Sequence, residues 1–351
     1  MKYFILVFIS CLLFSCSENN ETQPDFAKDY GRGLYIATDN GISFYDGDTL
    51  INNAFRNVNG ITLSDVNKIK FSSNKIYILS DNQLNVANVN TLENLGEVSY
   101  FNKATDLEFV SPGNRVFVVD NGDSKVKLVD LERLDIISDI ETGENTFPTS
   151  VIKRYYRTIV MNGGGGTDLT KDSTIVVIDH SDDLIPLADL AGSLYVGDNP
   201  NSAVNINDLK ILCQGIYDPN NTSSNTFSSL VKVNPWDIEV VSTQTLNNIY
   251  GARNLRSNSA GSYYFFTASD GVYSMNQNGT SVSKLTNVVS DVLFVQNEQY
   301  PTSDTTFSSS NMLYINDSDN SPSTLYKYNI STSSFTDTID VNGIIRDINS
   351  Y

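Results

Sequence analysis

The chain runs out on Arg346-Asp347-Ile348-Asn349-Ser350-Tyr351, and this segment has no repeat of its own to belong to. Arg346-Asp347-Ile348 is a polar pair followed by an aliphatic residue, and the same element recurs upstream. It reads Ser64-Asp65-Val66, Thr105-Asp106-Leu107, Thr149-Ser150-Val151, Asn201-Ser202-Ala203, Arg253-Asn254-Leu255 and Ser290-Asp291-Val292. Each of these six is followed by an apolar strand: Ile76-Tyr77-Ile78, Val116-Phe117-Val118, Thr158-Ile159-Val160, Ile211-Leu212-Cys213, Tyr264-Phe265-Phe266 and Leu313-Tyr314-Ile315. A seventh apolar strand, Leu34-Tyr35-Ile36, stands near the start of the chain with no polar pair before it. One end of the chain lacks the element that the other end carries in excess.

A third element follows each apolar strand: an apolar residue, three further strand residues, then Asn or Asp. Its copies occupy 42–46, 84–88, 126–130, 175–179, 230–234, 272–276 and 325–329, with the Asx residues spaced by 42, 42, 49, 55, 42 and 53 positions. A terminal Asx suits a tight turn, because its side chain bonds the backbone two residues on and it tolerates a left-handed conformation. From residue 33 onward the alternation is that of strands, with no long stretch of helical period. A repeat of this length is a supersecondary unit that needs its neighbours to bury a core. The expected fold is all-β: a seven-bladed β-propeller closed by a C-terminal strand completing the first blade, which leaves no exposed sheet edge. An open solenoid would not need the donated strand.

The start of the chain reads differently. Met1-Lys2-Tyr3 precedes an apolar run at 4–14, too short to span a bilayer and of signal-peptide length. The run stops at Leu13-Phe14-Ser15-Cys16, which resembles a bacterial lipobox. The expected organisation is a lipoprotein signal peptide at 1–15, a lipidated Cys16 with a flexible tether at 16–30, and the propeller at 31–351. Acyl chains on Cys16 would anchor the protein to a membrane without a transmembrane helix. Glu18, in a polar stretch that also holds Glu21, Pro24 and Asp25, fits an export signal for the outer face of the outer membrane.

Composition narrows the function. The 351 residues carry 23 Lys plus Arg against 41 Asp plus Glu, a formal charge of −18, which repels phosphate backbones and argues against nucleic acid. One histidine, His180, and three cysteines leave no His/Cys metal cluster and little for His-based catalysis, so neither metal, cofactor nor enzymatic activity is expected. With Cys11 removed and Cys16 acylated, Cys213 stands alone, and both it and Met161 are expected to fill the core.

In a propeller, the innermost strands line a channel. The lining is expected to include Asp65, Asp106, Ser150, Ser202, Asn254, Asp291 and Asp347, and such side chains can equally cap strand ends. The loops between blades, and those between second and third strands, share one face. Long connections of the latter kind fall at 162–171, 215–228 and 316–323; the long 296–310 loop belongs to the opposite face. The candidate ligand residues on that rim are Tyr100, Phe101, Phe147, Asn199, Gln214, Tyr217, Asp218, Tyr250 and Arg253. Aromatic rings beside amides suit a large neutral or weakly polar ligand.

Other motifs fail on their own chemistry. Gly163-Gly164-Gly165-Gly166 has no Gly-Lys-Ser/Thr after it and opens no helix, so it is no phosphate loop. Asp317-Ser318-Asp319-Asn320-Ser321 lacks the glycine and glutamate of a calcium loop. His180, just past a turn on the opposite face, is expected to be a solvated loop residue, and Trp236 to pack locally.

Residues 197–234 carry a resemblance. Gly197-Asp198-Asn199-Pro200-Asn201-Ser202-Ala203, then Leu212-Cys213-Gln214-Gly215-Ile216-Tyr217-Asp218, then Ser229-Leu230-Val231-Lys232-Val233-Asn234 resemble the YncE-like propeller lipoproteins of Bacteroidetes. One branch of that family, the BtuG type, captures cobalamin at the cell surface and passes it to a TonB-dependent outer-membrane transporter. The resemblance implies a surface lipoprotein that binds a small nutrient, cobalamin first among them, with such a transporter as partner. The competing reading is a surface propeller that binds a protein or glycan in adhesion or assembly. Propeller lyases need an active-site histidine and quinoprotein propellers repeated tryptophans, and this chain has one of each.

Overall fold

The computed structural model describes residues 29–110, 114–163, 172–180, 189–218, 220–296, 312–317 and 322–351. They form seven four-stranded antiparallel sheets arranged as the blades of a propeller. The inner strands are Ile345–Ser350 for blade 1, then Val66–Ser72, Ala104–Val110, Pro148–Arg154, Pro200–Ile206, Arg253–Ser257 and Leu293–Gln296 for blades 2 to 7. Blade 1 is composite, as expected. Ile345–Ser350 pairs antiparallel with Leu34–Thr38, setting Leu34 opposite Ser350, Ile36 opposite Ile348 and Ala37 opposite Asp347. Gly33 and Tyr351 extend the ladder with a reciprocal pair of backbone bonds at 3.4 and 3.2 Å.

The strand period of two explains where the core lies. Alternate residues of each blade face the preceding and the following blade, so the apolar side chains gather in layers between neighbours. In blade 2, Ile76 and Ile78 pack with Tyr35 and Phe44 of blade 1, while Tyr77 and Leu79 pack with Leu107 and Val118 of blade 3. The same arrangement continues around the ring to a last layer in which Tyr314 and Leu325 of blade 7 meet Ile36 and the donated Ile348. Met161 and Cys213 share the layer between blades 4 and 5. Burial pushes the Cys213 thiol up to about 12.

The Asx turns also take the expected form. The side-chain oxygens of Asp46, Asn88, Asp130, Asn234, Asn276 and Asn329 each accept the backbone N–H two residues on, at 2.8–3.1 Å. In four of the turns the N–H three residues on is bound as well. One short helix, Ala54–Asn59, interrupts the β pattern; it buries Ala54 and Phe55 against blade 1 on the way to blade 2.

Two outcomes follow. Deleting residues 345–351 strips Ile345 and Ile348 from the layer between blades 7 and 1 and bares the edge of Leu34–Thr38. The truncated protein is expected to melt at a lower temperature and to self-associate in size-exclusion chromatography; a monomer that melts like the full chain would refute closure as the stabilising device. Cys213 is expected to resist iodoacetamide at pH 8, read by peptide mass mapping, and to react once the protein is unfolded in guanidinium.

Candidate functional site

The inner strands surround a cavity of about 440 Å3. Of the expected channel residues, Asp106, Ser150, Ser202, Asn254 and Asp347 line it, whereas Asp65 and Asp291 are exposed and stand outside the lining. The strand register explains the difference. Ile69 faces the preceding blade as Leu107 does, so the channel position falls on Lys68 in blade 2, while blade 7 lines the cavity with Phe294 and Val295 and buries Val292 in the layer shared with blade 1. Blade 2 repeats the polar-polar-aliphatic pattern three residues later as Asn67-Lys68-Ile69, and an irregularity between Val66 and Lys68 selects the later copy.

These side chains join neighbouring blades. The Asp347 carboxylate accepts the Ile69 backbone N–H at 3.0 Å, Asp106 accepts that of Val151 at 3.0 Å, and the Ser202 hydroxyl accepts that of Leu255 at 3.0 Å. Ser150 donates its hydroxyl to the Asn201 carbonyl at 2.7 Å, and Asn254 donates its amide to the Asp291 carbonyl at 2.7 Å. Each bond crosses from one blade to the next. A bond to a charged acceptor of this kind contributes about 1.5–3 kcal/mol.

Charge is distributed unevenly around the cavity. On blades 1 to 3, Lys68 pairs with Asp347 at 3.2 Å, and Lys70 lies 3.0 Å from Glu108 and 3.8 Å from Asp106. Burial pulls the Lys70 ammonium down, but Asp106, Glu108 and Asp347 outweigh it and hold its pKa above the ordinary lysine value. On blades 4 to 6 the polar residues of the wall are Thr149, Ser150, Asn201, Ser202 and Asn254, all neutral, with the apolar Val151, Ile152, Met161 and Ala203 among them. Arg256 completes that side. Its guanidinium donates to the Leu255 carbonyl at 3.2 Å, and it forms no ion pair with a carboxylate of the described residues. Arg256 sits two positions beyond Asn254, where the period of two carried along the inner strand would have reached it, whereas Lys70 lies two beyond Lys68 and is reached only once the later copy of the pattern is chosen.

The rim candidates separate into two groups. Tyr217 and Tyr250 stack loosely with centroids 5.1 Å apart, and Phe227, which the sequence reading left out, joins Tyr250 at 5.1 Å. Tyr217 keeps 46% of its surface exposed. The blade 5 loop that carries Tyr217 and Phe227 is built as a miniature ladder, Ile216 and Thr226 exchanging backbone bonds at 3.0 Å each way. Gly215 has φ +75°, and a Cβ there would lie 2.3 Å from the Thr226 carbonyl oxygen, so only glycine fits. Asp218 closes the loop, its backbone N–H donating to Asn225 at 2.7 Å. Gln214 holds the neighbouring connection through its carbonyl, which accepts Gly251 N–H at 3.1 Å and the Ser228 hydroxyl at 2.6 Å. Arg253 pairs with Asp291 at 3.3 Å on the surface. Asn201, in the cavity wall, donates to the Ala252 carbonyl at 2.9 Å and so ties this rim to the channel.

The remaining candidates lie apart from that cluster. Phe101 is a core residue between blades 2 and 3 and has almost no surface to offer, while Tyr100 beside it is 88% exposed with φ +75°. Beneath them Lys127 pairs with Asp120 and Asp123 at 2.7 Å each and donates to the Tyr100 carbonyl at 2.9 Å. Phe147 is half-buried in a left-handed turn. Asn199 is buried; its amide donates to the Gly215 carbonyl at 3.2 Å and its oxygen accepts the Asp172 N–H at 3.3 Å, a scaffold position. His180 corrects the expectation of a solvated residue: it is 7% exposed, 3.1 Å from the Thr158 hydroxyl and edge-on to Phe117. Trp236 is half-exposed and lies near Tyr155 and over Arg157. Cys16 with the segment 1–28, the glycines 164–166, residues 318–321 and the 297–311 part of the opposite loop lie outside the described residues.

Among the described residues, no group of three or more His, Cys, Asp and Glu is placed to hold a metal ion, and no helix is long and apolar enough to cross a membrane. No family model matches the chain, and no curated protein matches it significantly in sequence. Solved structures do resemble it. A periplasmic gluconolactonase of Pseudomonas aeruginosa superposes with a TM-score of 0.66 at 10% identity, covering 91% of this chain and 98% of that one. Hydrazine synthase of Kuenenia stuttgartiensis gives 0.64 at 13%, covering 86% and 92%, and a functionally unknown protein of Desulfotomaculum acetoxidans gives 0.63 at 13%, covering 90% and 98%. At such identities the likeness is one of fold, shared by enzymes and by proteins of unknown role alike.

The charged half of the channel makes a stability prediction. Lys70→Met leaves Asp106 and Glu108 without their shared cation and is expected to lower unfolding stability by about 2 kcal/mol at pH 7. Because the folded pKa of Lys70 is raised, its contribution is complete below the unfolded value of about 10.4 and is lost as pH rises through the folded one. The gap between variant and wild type, followed by urea titration, should therefore persist to about pH 10 and narrow above it; equal stability at pH 7 would remove Lys70 from the architecture of the channel.

Proposed function

We propose that this propeller captures a small polar molecule at the mouth of its channel, on the side of blades 5 and 6. The observation that carries the reading is the Asn201–Ala252 bond, which ties the loop bearing the Tyr217–Tyr250–Phe227 cluster to a channel wall that holds Thr149, Ser150, Asn201, Ser202 and Asn254. Aromatic faces supply apolar contact at small entropic cost, and the fixed amides supply direction. Such a site binds without chemistry of its own.

Cobalamin is the ligand to test first. The resemblance over 197–234 points to it, its amide-bearing periphery matches the neutral wall, and a molecule larger than the cavity would lie across the mouth against the aromatic rim. In this reading Cys16 is lipidated, the ring sits on the outer membrane facing the exterior, and the ligand passes to a TonB-dependent receptor. A second reading, capture of a protein or glycan, draws on a different surface: Tyr155, 71% exposed, and Trp236 sit together beside Arg154 and Arg157 on the face opposite the mouth.

Calorimetric titration of the purified protein with cyanocobalamin tests the first reading. Saturable heat is expected, and Tyr250→Ala or Tyr217→Ala should weaken binding by at least ~1 kcal/mol, as for truncation of an aromatic anchor. No heat and no thermal stabilisation at micromolar protein would reject cobalamin; binding unchanged in both variants would reject this rim.

A further inference from the structure

The residue that points into the layer shared with the following blade is the second of Leu34–Thr38 and the third of each other second strand. In six blades it is Tyr35, Tyr77, Phe117, Ile159, Phe265 or Tyr314, every one buried among apolar neighbours. In blade 5 it is Lys210, which is only 8% exposed. A lysine in this place is costly unless its charge is met. The partners it has are neutral: the Tyr264 hydroxyl at 3.3 Å, the carbonyl of Gln277, and the Tyr264 ring 5.2 Å away. The nearest carboxylate, Asp208, is paired with Lys232 at 3.0 Å.

Where the other blades have a bulky wedge, blades 5 and 6 enclose a pocket of about 260 Å3. It is lined by Lys210, Lys232, Asp208 and Leu230, together with Ser242, Gln244 and Asn278. Two ammonium groups against one carboxylate leave this pocket with a net positive charge, in a chain whose formal charge is −18. Burial, the largest effect, together with the like charge of Lys232, lowers the Lys210 pKa despite Asp208, as expected of a cation whose counter-charge is incomplete.

We propose that this pocket is a binding site for a tetrahedral oxyanion, a sulfate or phosphate group, held between the ammonium groups of Lys210 and Lys232 with the Ser242 hydroxyl as a further donor. Lys210 retains a third N–H beyond its two neutral acceptors, and charge-assisted bonds to an oxyanion complete it. Asp208 opposes the site: it occupies Lys232 and repels an incoming anion. The site is independent of the channel mouth, in a different blade interface and on different side chains.

The test uses inorganic sulfate and inorganic phosphate, titrated at constant ionic strength into the full protein and read by calorimetry and thermal unfolding, with chloride as the control. Saturable binding in the millimolar range or tighter is expected for at least one, with a rise in melting temperature. Lys232→Met should weaken it tenfold or more, and Asp208→Asn should tighten it several-fold, an effect that a purely structural pair would not produce. Lys210→Met should abolish it while keeping the fold, since Met suits the apolar layer; if that variant does not fold, the Lys232 and Asp208 variants decide. Absence of saturable binding, an effect equal to that of chloride, or binding unaffected in Lys232→Met and Asp208→Asn would overturn the assignment.

Discussion

The pairing of Ile345–Ser350 with Leu34–Thr38 is the constraint on which the ring depends. Every apolar layer is made by two blades, so an open array would leave two faces without a partner. Closure joins blade 7 to blade 1 through Ile345 and Ile348 and completes the circle of layers. It also positions Asp347, whose carboxylate reaches both the Ile69 N–H and the Lys68 ammonium in the next blade. The strand that closes the ring thus builds part of the channel as well.

Much of this was legible because the signals are local and repeated. The Asx at the end of each third strand acts on a backbone N–H only two residues away, so its turn is a property of a few consecutive residues. The donated strand was legible because its polar pair had no blade left to enter. What escaped depends on register. Asp65 and Lys68 present the same local pattern, and only the layer into which Ile69 packs separates them. A similar ambiguity governs Tyr100 and Phe101, adjacent aromatics of which one is nearly bare and the other buried. Nothing in two neighbouring ring residues says which will turn inward; Lys127 does, paired with Asp120 within blade 3 while it binds the Tyr100 carbonyl and lies over the Phe101 ring.

The segment that carries the family resemblance has a physical reading of its own. Gly197 packs where a Cβ would lie 3.1 Å from both the Cys213 sulfur and the Ser229 hydroxyl, Asn199 turns through a left-handed conformation, and Gly215 admits the Thr226 carbonyl. Asp198 accepts hydroxyl bonds from Ser173 and Thr226 at 2.9 and 2.7 Å, holding blade 4 and the blade 5 loop together. These residues are the frame of the loop and leave its tip free to vary.

The composite first blade has a consequence in time. Leu34–Thr38 is synthesised early and its inner neighbour, Ile345–Ser350, follows six other blades along the chain. Until then the growing array carries an unpaired strand edge at its start and an uncovered apolar face at its end, both prone to the wrong partner. Ring closure joins residues of very high sequence separation, a topology that slows folding.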